Sequence, residues 1–286
     1  MISTRSLGCN PAVSLAGFKA WRYVDGRWAA ASAAEFLASD DPAVPTTFFP
    51  HGNRIDHCMA FTVGWKVYAN LARQAPTAEP LRFVLWSWPS DRIQGGQVQD
   101  VRVKAARTNV GGYHMAWFLD QLDPQVRVNL IGYSFGARIV TGSLHLLGGG
   151  SIGQYTLTNR QHLDRTPLRA VLQAAALDND WLLPGRRHGQ ALSQLDQLLL
   201  INNSCDQVLR RYARLYGQRK NCGPQALGYT GFAGLGSLSA IDRAKVRQVD
   251  ACCHVGKQHD WARYAGSPSL NASMAPYVFF LPIAGK

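Results

Sequence analysis

A chain of 286 residues with 47% hydrophobic side chains, among them 8 Trp, 10 Tyr and 11 Phe, carries material for a large core and is not a disordered polypeptide. Its 30 Lys and Arg against 18 Asp and Glu leave a formal charge of +12, a balance compatible with nucleic acid, anionic membrane or acidic substrates. The basic residues are scattered, however: the densest groups, Arg210-Arg211 with Arg214 and Arg219-Lys220, are short, and no zinc-finger, helix-turn-helix or aromatic RNP pattern accompanies them. Nucleic acid is therefore not the expected partner.

No apolar run reaches the ~18 residues that span a bilayer. Met1 to Cys9 holds no apolar core of signal-peptide length, so the expected compartment is the cytoplasm. Six cysteines (Cys9, Cys58, Cys205, Cys222, Cys252, Cys253) form no C-x-x-C pair. Their disulfide pairing, if any, is not readable from spacing. Cys252-Cys253 falls inside an apparent strand and reads as core, because adjacent strand residues face opposite ways.

In chain order, Phe18 to Val24 and Arg27 to Ala29 flank Asp25-Gly26, a two-residue hairpin signal. Ser32-Ala33-Ala34-Glu35 has capping-box spacing and opens a short helix to about Ala38. Thr46 to Phe49 is a buried strand running into Pro50-His51-Gly52-Asn53, and Asp56 to Gln74 has helical spacing. Leu81 to Trp88 is the next strand, stopped by Pro89-Ser90-Asp91. A long helical pattern covers Asp100 to Leu122, with an expected break at Gly111-Gly112.

Val126 to Ile131 reads as a buried strand that meets Gly132-Tyr133-Ser134-Phe135-Gly136 and passes into a helix from Ala137 to Leu147. Strand, G-x-S-x-G and helix together form the context that holds a serine on a sharp turn as a nucleophile. The pentapeptide alone is weak: Gly149-Gly150-Ser151-Ile152-Gly153 also matches, but it follows a helix and sits in a glycine run. Residues 148–167 read as a loop insertion or lid. Further strands are expected at Leu168 to Leu177, Leu198 to Ser204 and Val246 to Val255, with helical segments at Gln190 to Leu195 and Gln207 to Tyr216. Strands alternating with helices predict a mostly parallel sheet covered on both faces.

Active groups of such sheets gather where strands end at their carboxyl termini. Ser134, Asp178, Asp180, Asp206, His51 and His259 all follow predicted strands. A serine hydroxyl needs a base, and the base needs an acid that fixes its tautomer. The order serine, acid, histidine is met by Ser134, Asp206 and His259. Asp178 is the alternative acid, and Asp206 could instead cap the helix beginning at Gln207-Val208-Leu209. His254 is the alternative base, more consistent with core; His51 reads as an ordering residue of its loop, and Asp180 and Asp260 as solvated loop acids. Trp86, Trp88 and Trp117 read as core, with a pocket-lining role as the other option.

Taken together, His51-Gly52-Asn53, Ser87-Trp88-Pro89-Ser90, Gly132-Tyr133-Ser134-Phe135-Gly136, Ala175-Ala176-Leu177-Asp178, Asn203-Ser204-Cys205-Asp206 and His259-Asp260-Trp261 resemble the alpha/beta hydrolases, in particular a bacterial branch of unknown function. The resemblance spans residues 45–270. It implies one alpha/beta-hydrolase domain over residues 1–286, with residues 1–44 as an antiparallel N-terminal hairpin and helix. It also implies a serine hydrolase of ester or related acyl bonds, with Ser134 as nucleophile, His259 as base and Asp206 as acid. The backbone N–H groups of Asn53 and Phe135 would form the oxyanion hole. No metal or organic cofactor is implied, and the partner would be a small-molecule acyl substrate. Asn53 stands where many lipases have a second glycine, which narrows the space for an acyl group. A non-catalytic binding or scaffolding protein, or an acyltransferase, would share the same fold.

Overall fold

The computed structural model describes residues 1–9, 13–76, 80–158, 160–216 and 224–283. Cys222 and the Arg219-Lys220 pair lie outside the described residues. A nine-stranded sheet runs through the middle of the protein, in the order β11-β10-β9-β6-β4-β5-β1-β2-β3. Its parallel part comprises β1 (Ile2–Ser3), β4 (Thr46–Pro50), β5 (Arg82–Ser87), β6 (Val128–Tyr133), β9 (Leu168–Gln173), β10 (Leu195–Asn202) and β11 (Val246–Asp250). Every residue of β4 and β6 is buried, as expected of strands covered on both faces. The antiparallel edge is β2 (Lys19–Val24) and β3 (Arg27–Ser32). Their two-residue turn puts both Asp25 and Gly26 at positive φ, the conformation that a tight right-twisted hairpin requires. Ser32 and Glu35 form the expected capping box at the start of α1 (Ala33–Ala38).

One helical layer holds α3 (Gln97–Leu119) and α4 (Phe135–Leu147); the other holds α2 (His57–Ala72), α9 (Trp261–Ala265) and α10 (Pro268–Val278). Contrary to expectation, α3 is unbroken at Gly111-Gly112. Those glycines serve close packing instead: a Cβ on Gly112 would lie 3.3 Å from the backbone of Gly142 in α4. Trp86 and Trp88 are fully buried, and Trp117 stacks on Phe18 with ring centroids 5.7 Å apart, so the core reading of these aromatics holds. Among the described residues no helix is long and apolar enough to cross a membrane.

The described residues of segment 148–167 are anchored at the ends of α3 and α4 opposite Ser134. The segment contains the ribbon β7 (Ser151–Ile152) and β8 (Tyr155–Thr156) and is fastened to the far end of α3 by Gln161 N–H to Asp120 and Arg165 to Leu122 O, and to the far end of α4 by Arg160 to Leu147 O. Thirteen residues of α4, at ~1.5 Å each, separate that end from Ser134.

The last strand also stops earlier than its sequence suggests. Among the described residues β11 pairs only with β10, and β10 ends at Asn202, so the chain turns at Asp250, whose carboxylate accepts the N–H groups of Ser204 and Cys252. Residues 252–255 are then helical, as α8 (Cys252–Val255), not strand. Cys252 is accordingly not a core thiol: it forms a disulfide with Cys205, with Cα atoms 5.2 Å apart, while Cys253 is exposed. Two short helices, α6 (Leu227–Thr230) and α7 (Ala240–Lys245), were not expected, and the stretch after Gln207 is a 3-10 turn at Leu209–Arg211 followed by α5 (Tyr212–Tyr216).

Candidate active site

Ser134 sits between β6 and α4 with φ 53° and ψ −115°, a conformation that a residue with a Cβ seldom adopts. The two flanking glycines make this turn feasible. A Cβ on Gly132 would lie 2.6 Å from Ala137 Cα, and one on Gly136 would lie 1.9 Å from Pro50 O, so neither position has room for a side chain. The turn is held to the sheet by Ser134 N–H to Gln173 O at 2.9 Å and Ala176 N–H to Ser134 O at 3.2 Å. Ser134 is buried except for 6% of its surface.

Three side chains meet at this turn: Ser134 directly after β6, Asp206 from the loop after β10, and His259 from the segment after α8. Ser134 Oγ is 2.9 Å from His259 Nε2, and His259 Nδ1 is 2.6 Å from Asp206 Oδ2. A carboxylate at Nδ1 fixes the proton on that nitrogen, leaving Nε2 free to accept from the serine hydroxyl. Tyr133 stacks against the His259 ring with centroids 5.5 Å apart, which restricts its rotation. Asp206 is fully buried, and its other oxygen, Oδ1, accepts the N–H groups of Val208 and Leu209 at 2.8 and 2.9 Å. Asp206 thus faces the histidine with one oxygen and the backbone of the following turn with the other.

The alternative residues are placed elsewhere. Asp178 Oδ1 accepts from the Tyr212 hydroxyl at 2.6 Å, and that hydroxyl accepts from Arg138 at 2.8 Å. Asp180 pairs with Arg186 at 3.4 Å, Asp260 caps α9 through Ala262 N–H at 3.0 Å, and His254 lies exposed on α8.

The His51-Gly52-Asn53 turn lies directly against the serine: a Cβ on Gly52 would come within 3.3 Å of Ser134 Cβ. The Ser87-Trp88-Pro89-Ser90 segment clamps it. Trp88 Nε1 donates to His51 O at 2.7 Å, Arg54 N–H to Ser90 O at 2.9 Å, and Ser90 Oγ to Ile55 O at 2.8 Å. Trp88 N–H can only donate, so His51 Nε2 accepts it at 3.4 Å and Nδ1 donates to Gly52 O at 2.9 Å, a neutral ring. Burial drives His51 down to about 3, so it stays uncharged at ordinary pH. Asn53, half-buried, follows Gly52 in this turn, and Phe135, the residue after Ser134, begins α4.

Several contributors were not foreseen. Arg5, near the N-terminus, ties Ser87 Oγ at 2.8 Å and Ile55 O at 2.7 Å and pairs with Asp91. Nothing in a two-residue β1 signals this. The Cys205–Cys252 disulfide joins the loop carrying Asp206 to the segment preceding His259, and Asn203 Nδ2 adds a bond to Gly256 O at 2.9 Å. Asp100 accepts from Ile93 N–H, Lys104 and Arg54; burial opposes its ionisation, but these three donors outweigh it and hold the carboxyl at about 2.

No family model and no curated protein matches the chain. Among solved structures, an acetyl xylan esterase covers 84% of this chain and 100% of its own, with 14% identity and a TM-score of 0.35. A second acetylxylan esterase structure covers 84% and 98%, with 15% identity and a TM-score of 0.34. At this level the likeness carries no argument about the site, which rests on its own geometry.

Proposed function

We propose that this chain is a serine hydrolase of ester or related acyl bonds. The observation that carries the reading is the unbroken chain of short contacts from Ser134 Oγ through the His259 ring to Asp206, built on a strained turn at a strand end. His259 Nε2 takes the Ser134 proton as Oγ attacks the acyl carbon, and Asp206 stabilises the imidazolium that forms. The Asn53 and Phe135 N–H groups bind the oxygen that becomes negative, a donor of this kind contributing ~3 kcal/mol to lowering the barrier. His259 then protonates the departing group, leaving an acyl-Ser134 that water cleaves by the same route in reverse. Nothing in these steps calls for a cofactor.

Asp206 is the acid in this scheme because its oxygen is on His259, whereas Asp178 is engaged by Tyr212. The Cys205–Cys252 disulfide favours an oxidising compartment over the cytoplasm expected from sequence. The test is hydrolysis of 4-nitrophenyl acetate: the wild type turns over and His259→Ala falls to background. Equal rates for the two would remove the histidine from the mechanism and the reading with it.

A further inference from the structure

Arg54 stands immediately beyond the turn that packs on Ser134. From Gly52, which touches the serine, two peptide units lead to Arg54, a span of at most ~7.6 Å. Its φ is 60°, in the left-handed region that an L-residue of this size seldom adopts. The conformation is imposed from outside, since the Arg54 N–H donates both to Ser90 O and to Asn53 Oδ1, each at 2.9 Å. Backbone strain of this kind gathers where a side chain has to be aimed.

The aim is set by Asp100 in the first turns of α3. Arg54 Nε donates to Asp100 Oδ2 at 3.2 Å, while Oδ1 of the same carboxylate is bonded to Lys104. One anion therefore serves two cations. Lys104 is fully buried and takes that compensation, because a buried ammonium without a counter-ion is strongly disfavoured. The excess positive charge falls on the Arg54 side chain, which is 42% exposed.

This charge is at the rim of the site. α3 and α4 run side by side and touch at Gly112 and Gly142. Counting back at ~1.5 Å per residue from Gly112 to Asp100 and from Gly142 to Ser134, Asp100 stands roughly 6 Å beyond the serine as measured along the helix axes. A planar guanidinium in that place matches a carboxylate or phosphate through paired hydrogen bonds.

We infer that Arg54 gives the site a preference for esters that carry an anionic group a few bonds from the scissile carbonyl. The inference rests on the hydrolase reading above. It is tested with three esters: neutral 4-nitrophenyl acetate; the 4-nitrophenyl monoester of succinic acid, anionic on the acyl side; and 4-acetoxybenzoate, anionic on the leaving-group side.

The quantity read is the ratio of kcat/KM for each anionic ester to that for the neutral one, in which any effect on the shared turn cancels. In Arg54→Asn, which tolerates the left-handed backbone, the ratio for at least one anionic ester falls about tenfold, the worth of one charge-assisted contact at a part-exposed position. Arg54→Lys, which keeps the charge but not the fork, retains part of it. In the wild type alone, raising the ionic strength lowers the same ratio, because an exposed contact is screened.

Ratios unchanged in Arg54→Asn, with no salt dependence in the wild type, overturn the role of Arg54 and leave the hydrolase reading standing. Absence of turnover of all three esters by the wild type overturns the hydrolase reading and this inference with it.

Discussion

Asp206 and His259 are 2.6 Å apart at Oδ2 and Nδ1, while the other oxygen of the same carboxylate starts the following turn through Val208 and Leu209. The carboxylate is thus held on one side by the backbone N–H groups of Val208 and Leu209 and on the other by the histidine. A substitution can separate the two tasks. Asp206→Asn keeps an oxygen for the turn but offers the ring an amide, which allows the wrong tautomer. We expect kcat/KM to fall by roughly 10³–10⁴ with little loss of stability. Asp206→Ala should show the same kinetic loss and, in urea unfolding, a further destabilisation of about 1 kcal/mol from the missing cap.

Asp178 is the control for that assignment. Its hydrogen bond to Tyr212 links it to Arg138. Asp178→Asn should change kcat/KM by less than about fivefold while lowering the melting temperature. A loss comparable to that of Asp206→Asn would transfer the acid role to Asp178.

Why the choice between these two aspartates was open in the sequence is a matter of topology. Both follow apolar strands, β9 and β10, and both precede polar loops. What separates them is that β10 neighbours β11, whose continuation carries His259, and that the Asp178 backbone is bridged to Ala226. Neither fact has a local signature. The turn at Ser134, by contrast, is readable because its requirements are local: a fully buried strand, two positions with no room for a Cβ, and an immediate helix. The Asp25-Gly26 hairpin and the Ser32–Glu35 box were readable for the same reason. Asp250 ending β11 and the pairing of Cys205 with Cys252 across 47 residues depend on which strand has a neighbour, and periodicity does not encode that.

Acid should destabilise the protein through His51. Its folded value is about 3 against an ordinary 6.5, so between these pH values the unfolded chain binds a proton that the native state excludes. Stability attributable to this ring is fully present above pH ~6.5 and falls, by at most about 1.4 kcal/mol per pH unit, as the pH drops toward 3. Urea midpoints measured from pH 7 to 4.5 should decline for the wild type and decline less steeply for His51→Gln; parallel slopes would contradict this account of the ring.

The disulfide between Cys205 and Cys252 braces the acid loop against the segment leading to His259. Opening it by the double substitution Cys205→Ser with Cys252→Ser should cost about 2–4 kcal/mol in unfolding free energy. At temperatures where the variant remains folded, kcat should fall more than KM rises, because what loosens is the support of the acid and base. A variant with wild-type kcat would make the bridge purely a matter of stability.

The central claim is that Ser134 is a nucleophile raised above ordinary serine reactivity by its contact with His259. Labelling with a fluorophosphonate and mapping the modified peptide tests it most directly. One phosphonyl group per chain is expected, located on the peptide holding Gly132 to Gly136, absent in Ser134→Ala and added at least about a hundredfold more slowly in His259→Ala. Labelling at another serine, or equal labelling of wild type and Ser134→Ala, would contradict it.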